Sequence, residues 1–65
     1  MKRSYSSKQI IELLEADGWS EVRCRGDHHQ FRHHTKPGRV TVPHPAKDLD
    51  IDVLKSIERQ SGLKF

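Results

Sequence analysis

Apolar and polar positions along the chain recur with two different periods, and the change of period marks the elements. From Ser6 to Gly18 the apolar residues Ile10, Leu13 and Leu14 recur at i, i+3 and i+4, which predicts a helix with one apolar stripe. Both ends are marked: Ser6 and Gln9 have the spacing of a capping box, and Gly18 stands where a left-handed C-terminal residue belongs. Trp19 reads as a core aromatic folded back on that helix end. From Glu21 the period drops to two. Glu21-Val22-Arg23-Cys24-Arg25 predicts a half-buried strand, His28 to about His34 a second strand anchored by Phe31, and Arg39-Val40-Thr41-Val42 a third. Between the first two, Gly26-Asp27 is a two-residue hairpin signal, with glycine supplying the positive φ of a type II′ turn. Thr35-Lys36-Pro37-Gly38 is a turn by composition, and Pro43-His44-Pro45 ends the third strand because proline removes ladder donors. After a loop from Ala46 to Leu49, Asp50 caps a second helix running to Gln60. Ile51, Leu54 and Ile57 form its stripe, and Gly62 is its stop. The order α-β-β-β-α with an antiparallel meander predicts an α+β fold, a three-stranded antiparallel sheet with both helices on one face.

The two turns also predict a register. A two-residue turn at 26–27 sets Arg25 opposite His28, Cys24 opposite His29 and Val22 opposite Phe31. A four-residue turn at 35–38 sets His34 opposite Arg39, Phe31 opposite Val42 and His29 opposite His44. Val22, Phe31 and Val42 then form one apolar row, and a slip by one residue would scatter it across both faces. The opposite face is Arg23, Arg25, His28, Gln30, Arg32, Arg39 and Thr41, with no carboxylate at any strand position. One reading is an ordinary solvated face. The surplus of arginine, whose fork grips phosphates bidentately, favours a phosphate-rich ligand there.

Composition narrows the class. Sixty-five residues make a single domain spanning 1–65, and 32% hydrophobic residues allow only a compact core. The single cysteine, Cys24, rules out an intramolecular disulfide and suggests a reducing, cytoplasmic setting. The basic start Met1-Lys2-Arg3-Ser4 is followed by no apolar run, so no signal peptide is expected, and no stretch is long enough to span a bilayer. Twelve Lys+Arg against nine Asp+Glu give a net +3, compatible with a polyanionic partner.

Five histidines are the candidate chemistry. Neighbours on a strand point to opposite faces, so His29 joins the apolar side as a partly buried structural histidine beside Cys24, while His28 joins the arginines. An exposed imidazole next to Asp27 can exchange protons near neutral pH, which makes His28 a catalytic candidate ahead of His33, His34 and His44. The pairs His28-His29 and His33-His34 cannot each share an ion, and His29 stands about 13 Å from His33 along a strand. Only His29 with His44, and Cys24 beside them, could converge. Without CxxC or HxxxH spacing, the expectation is no metal and no cofactor.

The segments Gly26-Asp27-His28-His29-Gln30-Phe31, Pro37-Gly38-Arg39-Val40-Thr41-Val42-Pro43-His44-Pro45 and Lys47-Asp48-Leu49 closely resemble the HicA toxins of bacterial toxin–antitoxin systems. The likeness continues through Ile51, Leu54-Lys55-Ser56-Ile57 and Gln60-Ser61-Gly62-Leu63, nearly the whole chain. It implies a double-stranded-RNA-binding-domain-like fold and a ribosome-independent mRNA interferase, neutralised by a HicB antitoxin whose N-terminal domain covers the active site in a hetero-oligomeric complex. The family's catalytic histidine maps onto His28. This chain departs from the family in carrying Asp27 where Ser, Thr or sometimes Gly is usual; an acid there could raise the imidazole pKa or repel the RNA phosphate.

The mechanism expected from both lines is that Arg23, Arg25, Gln30, Arg32 and Arg39 bind RNA while His28 acts as acid or base without a metal. Two other classes share the same basic face: a non-catalytic RNA-binding module, and a surface that docks an acidic protein.

Overall fold

The computed structural model describes residues 4–65; the basic start at Met1, Lys2 and Arg3 lies outside the described residues. The first helix, α1 (Ser7–Ala16), begins at the expected capping box. The Ser6 hydroxyl accepts from Gln9 N–H at 3.1 Å, and Gln9 Oε1 accepts from Ser6 N–H at 2.9 Å. Its buried line is Ser7, Ile10 and Leu14, not Ile10, Leu13 and Leu14. At 3.6 residues per turn, Leu13 lies roughly 90° from the centre of that line and remains exposed. The second helix, α2 (Ile51–Ser61), repeats the spacing with Leu54, Ile57 and Ser61 buried. Ile51, expected in its stripe, is exposed in the first turn, and Asp50 holds the N-cap position without a side-chain cap bond. Gly62 ends the helix in the left-handed conformation at φ 79°.

Three strands lie between the helices: β1 (Trp19–Arg25), β2 (His28–His33) and β3 (Val40–Pro43). They form an antiparallel sheet in the order β1-β2-β3. The Gly26-Asp27 turn closes as predicted, with Arg25 opposite His28 and Cys24 opposite His29. Gly26 has φ 58° and, among the described residues, no non-glycine residue has positive φ, as a type II′ turn requires of its two central residues.

Two details of the register differ from the expectation, and each has a physical cause. In β1 the pairing shifts between Glu21 and Arg23, so Glu21 rather than Val22 faces Phe31. Val22 is the extra residue of a bulge and is 53% exposed. Trp19 is 1% exposed in the core, and Cys24 pairs with His29 on the same side. These two positions are an odd number of residues apart, so strict alternation would send one of them outward. The inserted residue restores both. In the second correction, β3 sits two residues further along than predicted: Phe31 faces Val40 and His29 faces Val42. An even slip keeps every side chain on its face. The wider loop, 34–39, takes up the difference.

Phe31, Val40 and Val42 are fully buried against Ile10 and Leu14 of α1 and Leu54 and Ile57 of α2, with Trp19 and Leu49 closing the cluster. Both helices therefore cover one face. The arrangement is the α+β, α-β-β-β-α fold read from the sequence. A polar clip joins the helix ends: Lys36 Nζ donates to Asp17 Oδ2 at 2.6 Å and to the Ser61 carbonyl at 3.2 Å. His33 completes it, with Nε2 donating to the Asp17 carbonyl at 2.7 Å and Nδ1 accepting from the N–H groups of Thr35 and Lys36. Gly18 is required beside it, because a Cβ there would stand 2.7 Å from His33 Nε2 and the residue has φ 104°.

Phe31→Ala should destabilise the fold by about 3–5 kcal/mol, whereas Val22→Ala should stay within about 0.5 kcal/mol, as read by denaturant unfolding. The Lys36 hydrogen bond holds the Asp17 carboxyl below its ordinary value of 3.8. The folded state thus keeps Asp17 ionised longer than the unfolded chain does. Its contribution is full above pH 4 or so and is lost as pH falls through and below that range. Asp17→Asn should flatten that part of the stability–pH curve.

Candidate nucleic-acid interface

The face turned away from the helices is built by the alternation that buries Phe31. His28, Gln30 and Arg32 leave β2 on this side, and all three are paired across strands: His28 with Arg25, Gln30 with Arg23 and Thr41, Arg32 with Ser20. Arg39 precedes β3 instead of starting it, yet its Nη1 donates to Gln30 Oε1 at 3.0 Å and so stands over the same face. Every residue of the predicted set, Arg23, Arg25, His28, Gln30, Arg32 and Arg39, therefore lies on one surface. The four arginines are exposed. Among the described residues none of them has a carboxylate within ion-pair distance. A group of guanidinium side chains without carboxylate partners on one sheet face is suited to a ligand that carries regularly spaced negative charge.

His28 stands at the end of this face, where the hairpin delivers it. Its side chain is 63% exposed and its Nε2 is 3.7 Å from Asp27 Oδ1, beyond hydrogen-bond length. The imidazole is accessible and only loosely tied to the neighbouring acid. His29, one residue on, has the opposite environment. Its side chain is 19% exposed, its Nδ1 is 3.1 Å from Glu21 Oε2, its Nε2 faces Cys24 Sγ at 3.6 Å, and its ring meets His44 edge to face at 5.0 Å between centroids. His44 in turn shares a 2.6 Å hydrogen bond between its Nδ1 and the buried Ser7 hydroxyl.

Sequence reasoning separated the two adjacent histidines correctly by face. It placed His29 beside Cys24, but missed Glu21 as its partner. The bulge at Val22 is what swings Glu21 to the helix side, and the odd spacing from Trp19 to Cys24 was the signal for it. The structural part of His33 was also missed. Its ring packs against Trp19 at 5.3 Å and stacks on His34 at 5.0 Å.

These environments separate chemistry from stability. His28→Ala should leave the unfolding free energy within about 0.5 kcal/mol of wild type. His33→Ala should cost about 1–3 kcal/mol by stranding the groups it satisfies, measured by the same denaturant titration.

No curated protein sequence matches the chain. The family model described as the HicA toxin of bacterial toxin–antitoxin matches residues 7–63. That interval runs from the first residue of α1, through the hairpin and the arginine face, to just past the end of α2. The chain belongs to the HicA toxin family.

Proposed function

We propose that this toxin is an endoribonuclease, an mRNA interferase that cleaves RNA by imidazole acid–base chemistry without a metal. The observation that carries the reading is the placement of one accessible imidazole, His28, at the end of a face with four arginines that have no carboxylate partner among the described residues. Arg23, Arg25, Arg32 and Arg39, with Gln30 between them, hold the sugar–phosphate backbone and neutralise it. His28 acts as general base on a ribose 2′-hydroxyl, or as general acid on the leaving 5′-oxygen. Attack of that 2′-oxygen on the adjacent phosphorus breaks the P–O5′ bond and leaves a 2′,3′-cyclic phosphate. The arginines that bind the ground state also face the charge that grows on the phosphate oxygens as the bond to the 2′-oxygen forms.

The partner in this reading is a HicB-type antitoxin that occupies the same face with carboxylates and forms a hetero-oligomeric complex with the toxin. The site of action is cytoplasmic mRNA. Among the described residues no helix is long and apolar enough to cross a membrane.

Expression of the chain should arrest growth and deplete mRNA, and His28→Ala should abolish both while the variant still binds RNA. A His28→Ala chain that still degrades mRNA would show that another group does the chemistry. A wild-type chain that binds RNA without cutting it would place the face in a non-catalytic role. Single Arg→Ala changes at positions 23, 25, 32 or 39 should weaken RNA binding and reduce the slope of log affinity against log salt by about 0.7 each.

A further inference from the structure

The helix-side end of the hairpin holds a second cluster that the RNA reading does not use. Glu21, Cys24 and His29 come from two strands, and one ligand atom from each lies within 4.8 Å of the others. We infer that Cys24 Sγ and His29 Nε2 form a site for one thiophilic divalent cation of the Zn2+ class, with Glu21 orienting the imidazole from behind. This departs from the expectation drawn from sequence spacing, because the bulge at Val22 brings in Glu21 where no linear motif announces it.

Three features support the assignment. First, Zn–S of about 2.3 Å and Zn–N of about 2.0–2.1 Å at a tetrahedral angle require sulfur and nitrogen to stand about 3.5–3.6 Å apart. Cys24 Sγ and His29 Nε2 are 3.6 Å apart. Second, His29 Nδ1 lies 3.1 Å from Glu21 Oε2, so in the neutral ring the proton sits on Nδ1 and Nε2 is the lone-pair nitrogen facing the sulfur. A carboxylate on the far nitrogen is the usual support of a metal-bound imidazole. Third, the site has open sides. Cys24 is exposed, so water can fill the remaining positions, and His44 brings a further imidazole to the rim, edge to face with His29. A thiolate with an imidazole selects zinc-like ions over Mg2+ or Ca2+. The cation would tie β1 to β2 just beyond the bulge, where strand pairing is interrupted, in a domain too small to have stability to spare. It lies across the sheet from the arginine face and takes no part in the cleavage proposed there.

The same 3.6 Å separation also suits a plain S–H···N hydrogen bond, and direct titration distinguishes the two. The reduced full chain is titrated with Zn2+ by calorimetry and with Co2+ by absorption. One cation should bind per chain, and Co2+ should give a thiolate-to-metal charge-transfer band in the near ultraviolet. Cys24→Ser should remove the band, and Glu21→Ala should weaken Zn2+ binding about 10–100-fold. His34→Ala, at an exposed position stacked on His33, should bind as wild type does. Absence of the charge-transfer band in the wild-type chain would overturn the assignment. So would Zn2+ affinities in Cys24→Ser and His29→Gln that match wild type within twofold. Neither result depends on nuclease activity, so the site and the cleavage reading stand or fall separately.

Discussion

Everything on the sheet depends on Phe31 being locked into the core. On the central strand it is completely buried in the cluster that Val40, Val42 and both helices complete, and in a strand that one fact fixes the direction of every neighbour. His29 and His33 must point toward the helices with it, while His28, Gln30 and Arg32 must point away. The separation of an accessible imidazole from a hydrogen-bonded one, one residue apart, follows from packing an aromatic ring. No feature of the histidines themselves is needed. A slip of one residue would bury the arginines, expose Phe31 and exchange the surroundings of His28 and His29, which is why the two corrections to register leave the faces intact. One is a slip by two, and the other is a bulge that adds a residue where parity required it.

This explains what was legible in the sequence. The element order, the capping box at Ser6, the turn at Gly26 and the membership of the arginine face rest on local rules of period, cap and turn, and these stand in the structure. What was not legible depends on contacts between distant segments. Leu13 and Ile51 look like stripe residues by spacing alone. Which side of a helix is buried depends on the angle at which it meets the sheet, and that is a tertiary property. The clip of Lys36, Asp17 and His33 brings together a loop, a helix end and a strand end that no short pattern connects. The pairing of Glu21 with His29 was hidden for a related reason: it exists only because of the bulge.

The two faces divide the work. On the helix side the polar groups are engaged. Ser7, His33, Lys36 and Ser61 each satisfy backbone groups that would otherwise be stranded at helix ends and loops, and no buried side-chain polar atom of the described residues lacks a partner. On the outer face, by contrast, four arginines and His28 have no strong internal partner among the described residues, where Gln30 alone touches Arg39. A small domain that satisfies its inner polar groups so fully while leaving these guanidinium groups without carboxylate partners has placed its unmet electrostatics on one surface. Under the proposed function that surface is where RNA binds and where an acidic antitoxin domain competes with it.

The central claim is that this surface cuts RNA through an imidazole and a ribose hydroxyl. Its most direct test is the chemistry of the ends left when the purified chain is incubated with RNA in excess chelator. Cleavage that persists and leaves 2′,3′-cyclic phosphate ends is the result the account predicts. Cleavage that stops on chelation while circular dichroism shows the chain still folded, or that leaves 3′-hydroxyl ends, would contradict it.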